Sequence, residues 1–254
     1  MNHRWNFENN GRSYAAALDG AIPGQTASVG DRTMKRWLIQ NRGFLLFLLC
    51  LGLARTAVAD WNPIPSGSMR PTLLEGDVVL VDRLAYNLKM PLTDVVLARL
   101  GEPIRGDVVT FSSPTDGTRL IKRVVGLPGD WVAMRGGRLI VNGQAIDATA
   151  SELVWEPLGA GQTPAIRARE RLDAKEHAVQ FLPLRDSLRD FGPVSVPRDH
   201  FFFLGDNRDD SGDSRYFGPV PRSRLIGRAH HVLVSADILG TWRPRIGRFG
   251  APIE

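Results

Sequence analysis

From Gly43 to Ala54 the chain reads Gly-Phe-Leu-Leu-Phe-Leu-Leu-Cys-Leu-Gly-Leu-Ala, with no charged side chain. Such a run must be covered by lipid or by protein, so it constrains the fold more than any other segment. Alone it falls short of the ~20 residues that cross a bilayer. Extended from Trp37 to Val58 it is long enough, if Gln40, Asn41, Arg42 and Arg55 snorkel near its ends. Three readings compete: a membrane anchor, a cleaved secretory signal and a buried core helix. Lys35 and Arg36 before the run, and Ala57-Val58-Ala59 after it, suit a signal. The anchor, one transmembrane helix over residues 34–59, is the expectation carried forward. Arg32, Lys35, Arg36 and Arg42 precede the run and Asp60 follows it, which places the N-terminus in the cytoplasm and the remainder outside. Residues 1–33 are polar and aperiodic and read as a disordered cytoplasmic tail. Met34 opens a segment that looks like a start in its own right, so both Met1 and Met34 stand as the first residue.

Beyond Trp61 the pattern is β. Gly-Asp followed by a β-rich run occurs three times, at Gly76-Asp77-Val78-Val79, Gly106-Asp107-Val108-Val109 and Gly129-Asp130-Trp131-Val132, and each reads as a turn launching a strand. Gly136-Gly137 and Asn142-Gly143 are hairpin turns. Phe201–Leu204 and His231–Ser235 are further short apolar strands. The expected fold is mainly β: an antiparallel catalytic domain over 60–143 and 197–239, a β-rich inserted subdomain over 144–196, and a C-terminal surface tail over 240–254. The 254 residues suffice for a packed core, and 43% hydrophobic with 23% charged residues excludes a low-complexity chain. The net charge of +5 is not gathered into a dense basic block, so an anionic membrane surface fits better than nucleic acid. The single cysteine, Cys50, excludes an intrachain disulfide and is expected to be a buried, inert thiol. None of the five histidines stands at metal-ligand spacing, so no metal and no cofactor are expected.

Two segments carry candidate chemistry. Ser68 lies in Pro63-Ile64-Pro65-Ser66-Gly67-Ser68-Met69-Arg70-Pro71-Thr72-Leu73, where prolines fix φ and Gly67 permits an unusual backbone angle. Such a loop can hold a hydroxyl and backbone N–H groups for an oxyanion, and it can equally be a plain turn. A serine nucleophile needs a base, and no histidine falls in a motif. The alternative is a lysine made neutral by burial. Lys122 sits in the strand-like run Leu120-Ile121-Lys122-Arg123-Val124-Val125, sharing a face with Leu120 and Val124. Lys122 can also be read as an ordinary snorkelling lysine. A third segment, Gly205 to Tyr216, alternates acids with Arg208 and Arg215. Arg208 stands where a calcium loop needs a ligand and no glutamate closes the loop, so a self-paired ordered loop is expected.

Taken in order, Ile-Pro-Ser-Gly-Ser-Met-x-Pro-Thr-Leu, Gly-Asp-Val-Val-x-Phe, Ile-Lys-Arg-Val-Val-Gly-Leu-Pro-Gly-Asp and Gly-Asp-Asn-Arg-Asp-x-Ser-x-Asp-Ser-Arg resemble the boxes of bacterial type I signal peptidase, a family of Ser/Lys-dyad serine proteases. The resemblance covers Trp61 to about Asp237. It implies Ser68 as nucleophile and Lys122 as general base. Ser66 and the Ser68 N–H would form the oxyanion site, and Ser211 would hydrogen-bond the lysine amine. Asp213 and Arg215 would form a supporting ion pair. Ile64, Pro65, Met69, Leu120 and Ile121 would line the substrate pockets. It implies a domain on the outer face of the bacterial cytoplasmic membrane that cleaves signal peptides from exported preproteins, the substrate adding as a strand. A monomer is favoured. The chain departs from many relatives in showing one apolar segment rather than two, and in having Leu120 where an aromatic is common. Rival readings are a Ser/Lys peptidase dedicated to a conjugation or pilus precursor, and an anchored β-domain that binds secreted chains without cutting them. A self-cleaving repressor lacks its helix-turn-helix here.

Overall fold

The computed structural model describes residues 29–90, 93, 95–159 and 161–253. By internal packing the chain divides into two compact units, Met1–Leu49 and Cys50–Glu254. Two helices, α1 (Val29–Gln40) and α2 (Arg42–Ala57), carry the segment expected as one anchor. Asn41 separates them, its side-chain amide donating back to the Trp37 carbonyl at 2.8 Å. At 1.5 Å per residue the 16 residues of α2 reach about 24 Å, less than the ~30 Å hydrocarbon core. Among the described residues no helix is long and apolar enough to cross a membrane. Cys50 is exposed rather than buried. Of the expected polar tail, residues 1–28 lie outside the described residues, and 29–33 begin α1.

The remaining strands are β1 (Ala59–Pro63), β2 (Asp77–Asp82), β3 (Asn87–Lys89), β4 (Val96–Arg99), β5 (Val108–Ser112), β6 (Arg119–Gly126), β7 (Trp131–Arg135), β8 (Arg138–Val141), β9 (Gln144–Ala145), β10 (Ala148–Leu158), β11 (Gly161–Leu172), β12 (Lys175–Phe181), β13 (Phe191–Ser195), β14 (His200–Leu204), β15 (Val220–Pro221) and β16 (Leu225–Ser235). A seven-stranded antiparallel sheet runs in the order β1-β2-β16-β5-β6-β14-β15. Three smaller sheets join β13-β7-β8-β9, β10-β11-β12 and β3-β4. The mainly β expectation is met. Three apolar clusters form the core, built around Val79 and Val81, around Phe111 and Phe203, and around Val132 and Phe202.

The three Gly-Asp segments are one device used three times. Gly76, Gly106 and Gly129 have φ of +86°, +89° and +92°, a region where a side chain is strained. In each, the aspartate carboxylate accepts the backbone N–H three residues earlier: Leu74 to Asp77 at 2.9 Å, Ile104 to Asp107 at 3.1 Å and Leu127 to Asp130 at 2.6 Å. Each carboxylate is then matched by a cation, Arg248 on Asp77, Lys175 on Asp107 and Arg105 on Asp130.

One expected boundary falls within a sheet. A cut after Gly143 would divide the sheet β13-β7-β8-β9, because β7 pairs with both β8 and the distant β13. The segment after Gly240, expected as a surface tail, is mostly exposed and is tied to the sheet. Val232 donates to the Ala251 carbonyl and Ile253 to that of His230. Arg245 Nη1 reaches the carbonyls of Glu75 and Ala236, both at 2.9 Å, and Arg248 binds the Thr72 carbonyl at 2.9 Å as well as Asp77. Arg245 and Arg248 thus strap the segment to the loop after Ser68.

A β-carbon at Gly76 would stand 2.1 Å from the Ala236 carbonyl oxygen, whereas at Gly129 it would meet nothing within 4 Å. Gly129→Ala is therefore expected to lose only the backbone strain, about 1–3 kcal/mol. Gly76→Ala should lose distinctly more, because the strand end at Ala236 must also move. Urea unfolding midpoints of the two variants compare them directly; equal losses would contradict this account of the turns.

Candidate active site

Ser68 occupies the middle of a single 3-10 turn, Gly67–Met69, entered from the extended Ser66. Arg70 N–H closes the turn on the Gly67 carbonyl at 3.0 Å, and Leu73 N–H continues onto Met69 at 2.9 Å. Apolar anchors pin it on both sides. Ile64 and Met69 expose 3% and 0% of their surface and pack with Leu73, Val79, Val81 and Val108. Both were expected to line a substrate pocket; their packing in the core also fixes the loop. Pro65 is exposed, and Leu120 and Ile121 are half-buried. Neighbours on β6 face opposite ways: Leu120 packs towards Phe111 and Ile121 towards Val79 and Val108.

Lys122 exposes 3% of its surface. Its amine donates to Ser68 Oγ at 2.5 Å and to the Ile121 carbonyl at 3.0 Å. Burial lowers its pKa from 10.5 to about 8; the Arg215 charge adds to this, and Asp213 and Asp206 oppose it. The sequence thus brings together, from positions 54 apart, a hydroxyl and an amine that burial disposes to be neutral.

The loop after β14 holds the other side of the turn. Asn207 donates its N–H to the Ser68 carbonyl at 3.2 Å and its side-chain amide to the Gly67 carbonyl at 3.0 Å. A β-carbon at Gly205 would stand 2.5 Å from the Ser68 carbonyl oxygen and 2.2 Å from Ser211 Oγ, so only glycine lets the two loops close. The expected Asp213–Arg215 pair is present and buried, with Arg215 Nε and Nη2 on the two carboxylate oxygens at 2.8 and 2.9 Å. Asp213 also accepts the Gly205 N–H at 3.0 Å. The expected bond from Ser211 to the lysine amine is not made. Among the described residues Ser211 Oγ is buried without a hydrogen-bond partner, and the amine is turned to Ser68 and Ile121. Ser66 is exposed, and its hydroxyl does not cap the turn it precedes.

Sequence reasoning missed Arg123. Its guanidinium grips both oxygens of Asp206 at 2.8 and 2.7 Å, fully buried, and Thr72 Oγ1 donates to the same carboxylate at 2.5 Å. Burial opposes ionisation of Asp206, but Arg123 wins and holds its pKa below the usual carboxylate value. An arginine inside an apolar strand run, opposite an acid-rich loop, was the available signal. A cavity of about 500 Å³ between Asp107, Lys175, Arg228 and Ile253 lies among other residues, and an extended peptide laid along strands needs no such enclosure.

A family described as signal peptidase, peptidase S26, matches residues 35–234. The chain belongs to this family. It is a serine peptidase. Signal peptidase I of Pseudomonas fluorescens is 36% identical over 239 residues, covering 88% of this chain and 82% of that protein. Its counterpart in Pseudomonas aeruginosa is 34% identical with the same coverages. A probable signal peptidase I-2 of Synechocystis is 34% identical over 72% of this chain and 66% of its own. A crystal structure of a signal peptidase I from Enterococcus faecalis overlays 50% of this chain and 96% of its own at 27% identity, with a TM-score of 0.31.

In the unfolded chain Lys122 has its ordinary pKa, so the protonated amine is a net cost to folding. At about 1.36 kcal/mol per pH unit the cost is roughly 3 kcal/mol. It is present in full below pH 8, shrinks as pH rises, and vanishes above 10.5. Lys122→Met should therefore be more stable than the parent at pH 7 and lose that advantage towards pH 10.5. Parallel unfolding curves at the two pH values test this, and a variant less stable at pH 7 would contradict the burial argument.

Proposed function

We propose that this peptidase removes signal peptides from exported preproteins, with Ser68 as nucleophile and Lys122 as general base. The observation that carries the reading is the desolvated Lys122 amine within 2.5 Å of Ser68 Oγ. A neutral amine takes the hydroxyl proton as Oγ attacks the scissile carbonyl carbon. The negative charge that develops on the carbonyl oxygen is met by the Ser68 N–H and the Ser66 hydroxyl, the latter free of any cap. The protonated amine then returns its proton to the leaving amine, the acyl group remains on Oγ, and the returned neutral amine activates water for its release. The Asp213–Arg215 pair supports this loop through Gly205.

The substrate enters as an extended strand between the Pro63–Ser66 segment and the start of β6, its small side chains resting on Pro65 and on the half-buried surfaces of Leu120 and Ile121. Residues 34–59 serve as the anchor, with the N-terminus cytoplasmic and the catalytic unit outside. Lys35, Arg36 and Arg42 on one flank and Asp60 on the other support that orientation. The exposed Phe44, Leu46, Phe47 and Leu49 support a lipid-facing segment.

Ser68→Ala and Lys122→Arg should each leave a folded protein that cuts no preprotein. The first removes the nucleophile and costs several orders of magnitude, on the order of 10⁴ or more. The second keeps a cation that does not deprotonate at usable pH. Turnover of a preprotein by the purified full chain is the assay; substantial activity in either variant would end the dyad reading.

A further inference from the structure

Arg70 follows Ser68 by two positions, and its side chain turns inward. Glu75, from the same loop, takes one side of the guanidinium, with Nε at 2.8 Å and Nη2 at 2.7 Å from Oε2. This ion pair lies directly under the turn. A β-carbon on Gly67 would stand 2.9 Å from Glu75 Oε1 and 3.1 Å from Arg70 Nε. Gly67 lies between Ser66 and Ser68, so the pair is the floor on which the nucleophile and the proposed oxyanion donor rest.

The other side of the guanidinium leaves the loop. Nη1 donates at 2.6 Å to Oε2 of Glu156 on β10, 86 positions away. The second oxygen of Glu156 accepts from Arg167 on β11, and Arg167 Nη1 reaches Glu152 at 3.0 Å. Glu75, Arg70 and Glu156 are buried, while Glu152 is half exposed. A run of alternating charge thus extends from the surface of the three-stranded sheet to the underside of Ser68.

The same sheet holds the loop on the other side of the turn. Gln180 of β12 donates its N–H to the Asp206 carbonyl at 2.8 Å and accepts that of Arg208 at 2.9 Å. Arg208 is bound in turn by Glu170 of β11, with Nη1 at 2.6 Å from Oε1. Between these two residues stands Asn207, which binds the Gly67 and Ser68 carbonyls. Both supports of the nucleophile turn, Arg70 beneath and Asn207 beside, are therefore seated on β10–β12.

We infer that the sheet β10–β12 is a positioning element for the peptidase reaction, and that Glu156 is the positioning residue that sets the Ser68 turn through Arg70. The inference rests on the Ser68/Lys122 reading. A buried guanidinium that loses one of its two carboxylates is left partly uncompensated and must shift to find another partner or water. Because Arg70 packs against Gly67, its shift moves the turn. Displacements of an ångström at a reacting group cost far more in turnover than in substrate binding.

The test uses the full chain with a preprotein substrate and measures kcat, KM and melting temperature for Glu156→Gln, Arg70→Gln, the double variant and Arg169→Gln. Arg169 lies on β11 two residues from Arg167, is exposed, and faces Glu176 at 3.9 Å. Glu156→Gln and Arg70→Gln should each lose about 10- to 100-fold in kcat with KM within roughly threefold. The double variant should be no slower than the slower single, because both act through one pair. Arg169→Gln should match the parent. Parent-like kcat in Glu156→Gln, additive losses in the double variant, or an equal loss in Arg169→Gln would each overturn the inference. Such results alongside an inactive Ser68→Ala would leave the dyad standing, whereas an active Ser68→Ala would remove the reading on which the inference rests.

Discussion

Keeping a lysine amine out of water beside a serine hydroxyl is the constraint around which the catalytic unit is arranged. An ammonium group is stabilised by hydration, so burial at Lys122 works against its charge. The groups nearest to it could cancel that effect, since Asp206, Asp210 and Asp213 all lie close enough to favour the cation. They do not, because burial outweighs them and the Arg215 charge offsets part of their pull. Asp206 is gripped by Arg123 and Asp213 by Arg215, each through two hydrogen bonds. The Asp213–Arg215 pair thus has an electrostatic consequence beyond holding its loop: the Arg215 charge works with burial against protonation of the amine.

The same pairs carry the mechanical load. Asp206 ties β6 to the loop after β14 and to Thr72, Asp213 ties that loop to Gly205, and Gly205 permits the loop to approach the Ser68 carbonyl. Arg248 and Arg245 fasten the C-terminal segment to the backbone of Thr72 and Glu75. A short turn of this kind has little packing of its own. Its geometry is imposed by Ile64 and Met69 in the core and by charged groups arriving from four distant parts of the chain.

What could be read from the sequence follows from the range of the interactions. The Gly-Asp turns were legible because their chemistry is local: a glycine at positive φ and a carboxylate reaching three residues back. Ser68, Lys122 and the Asp213–Arg215 pair were legible as boxes that resemble those of a known family. The packing of Ile64 and Met69 was not, since an apolar residue beside Ser68 suits a pocket and a core equally until the sheet beneath it is known. The sheet boundary at Gly143 was missed because β7 finds β13 across an excursion of three strands. The C-terminal strap was missed because arginines in a short polar stretch look solvent-facing until Asp77 is placed beneath them. Glu156 had no signal at all; its partner Arg70 lies 86 positions away.

Lys122, kept neutral by burial, is the proposed base of this peptidase. The pH dependence of single-turnover preprotein cleavage tests it most directly. Because the amine must lose its proton to act, the rate should be low in acid and rise along one limb with a midpoint at about 8. A limb centred near ~6.5, the ordinary histidine value, or a rate independent of pH between about 6 and 9, would contradict the assignment of Lys122 as the base.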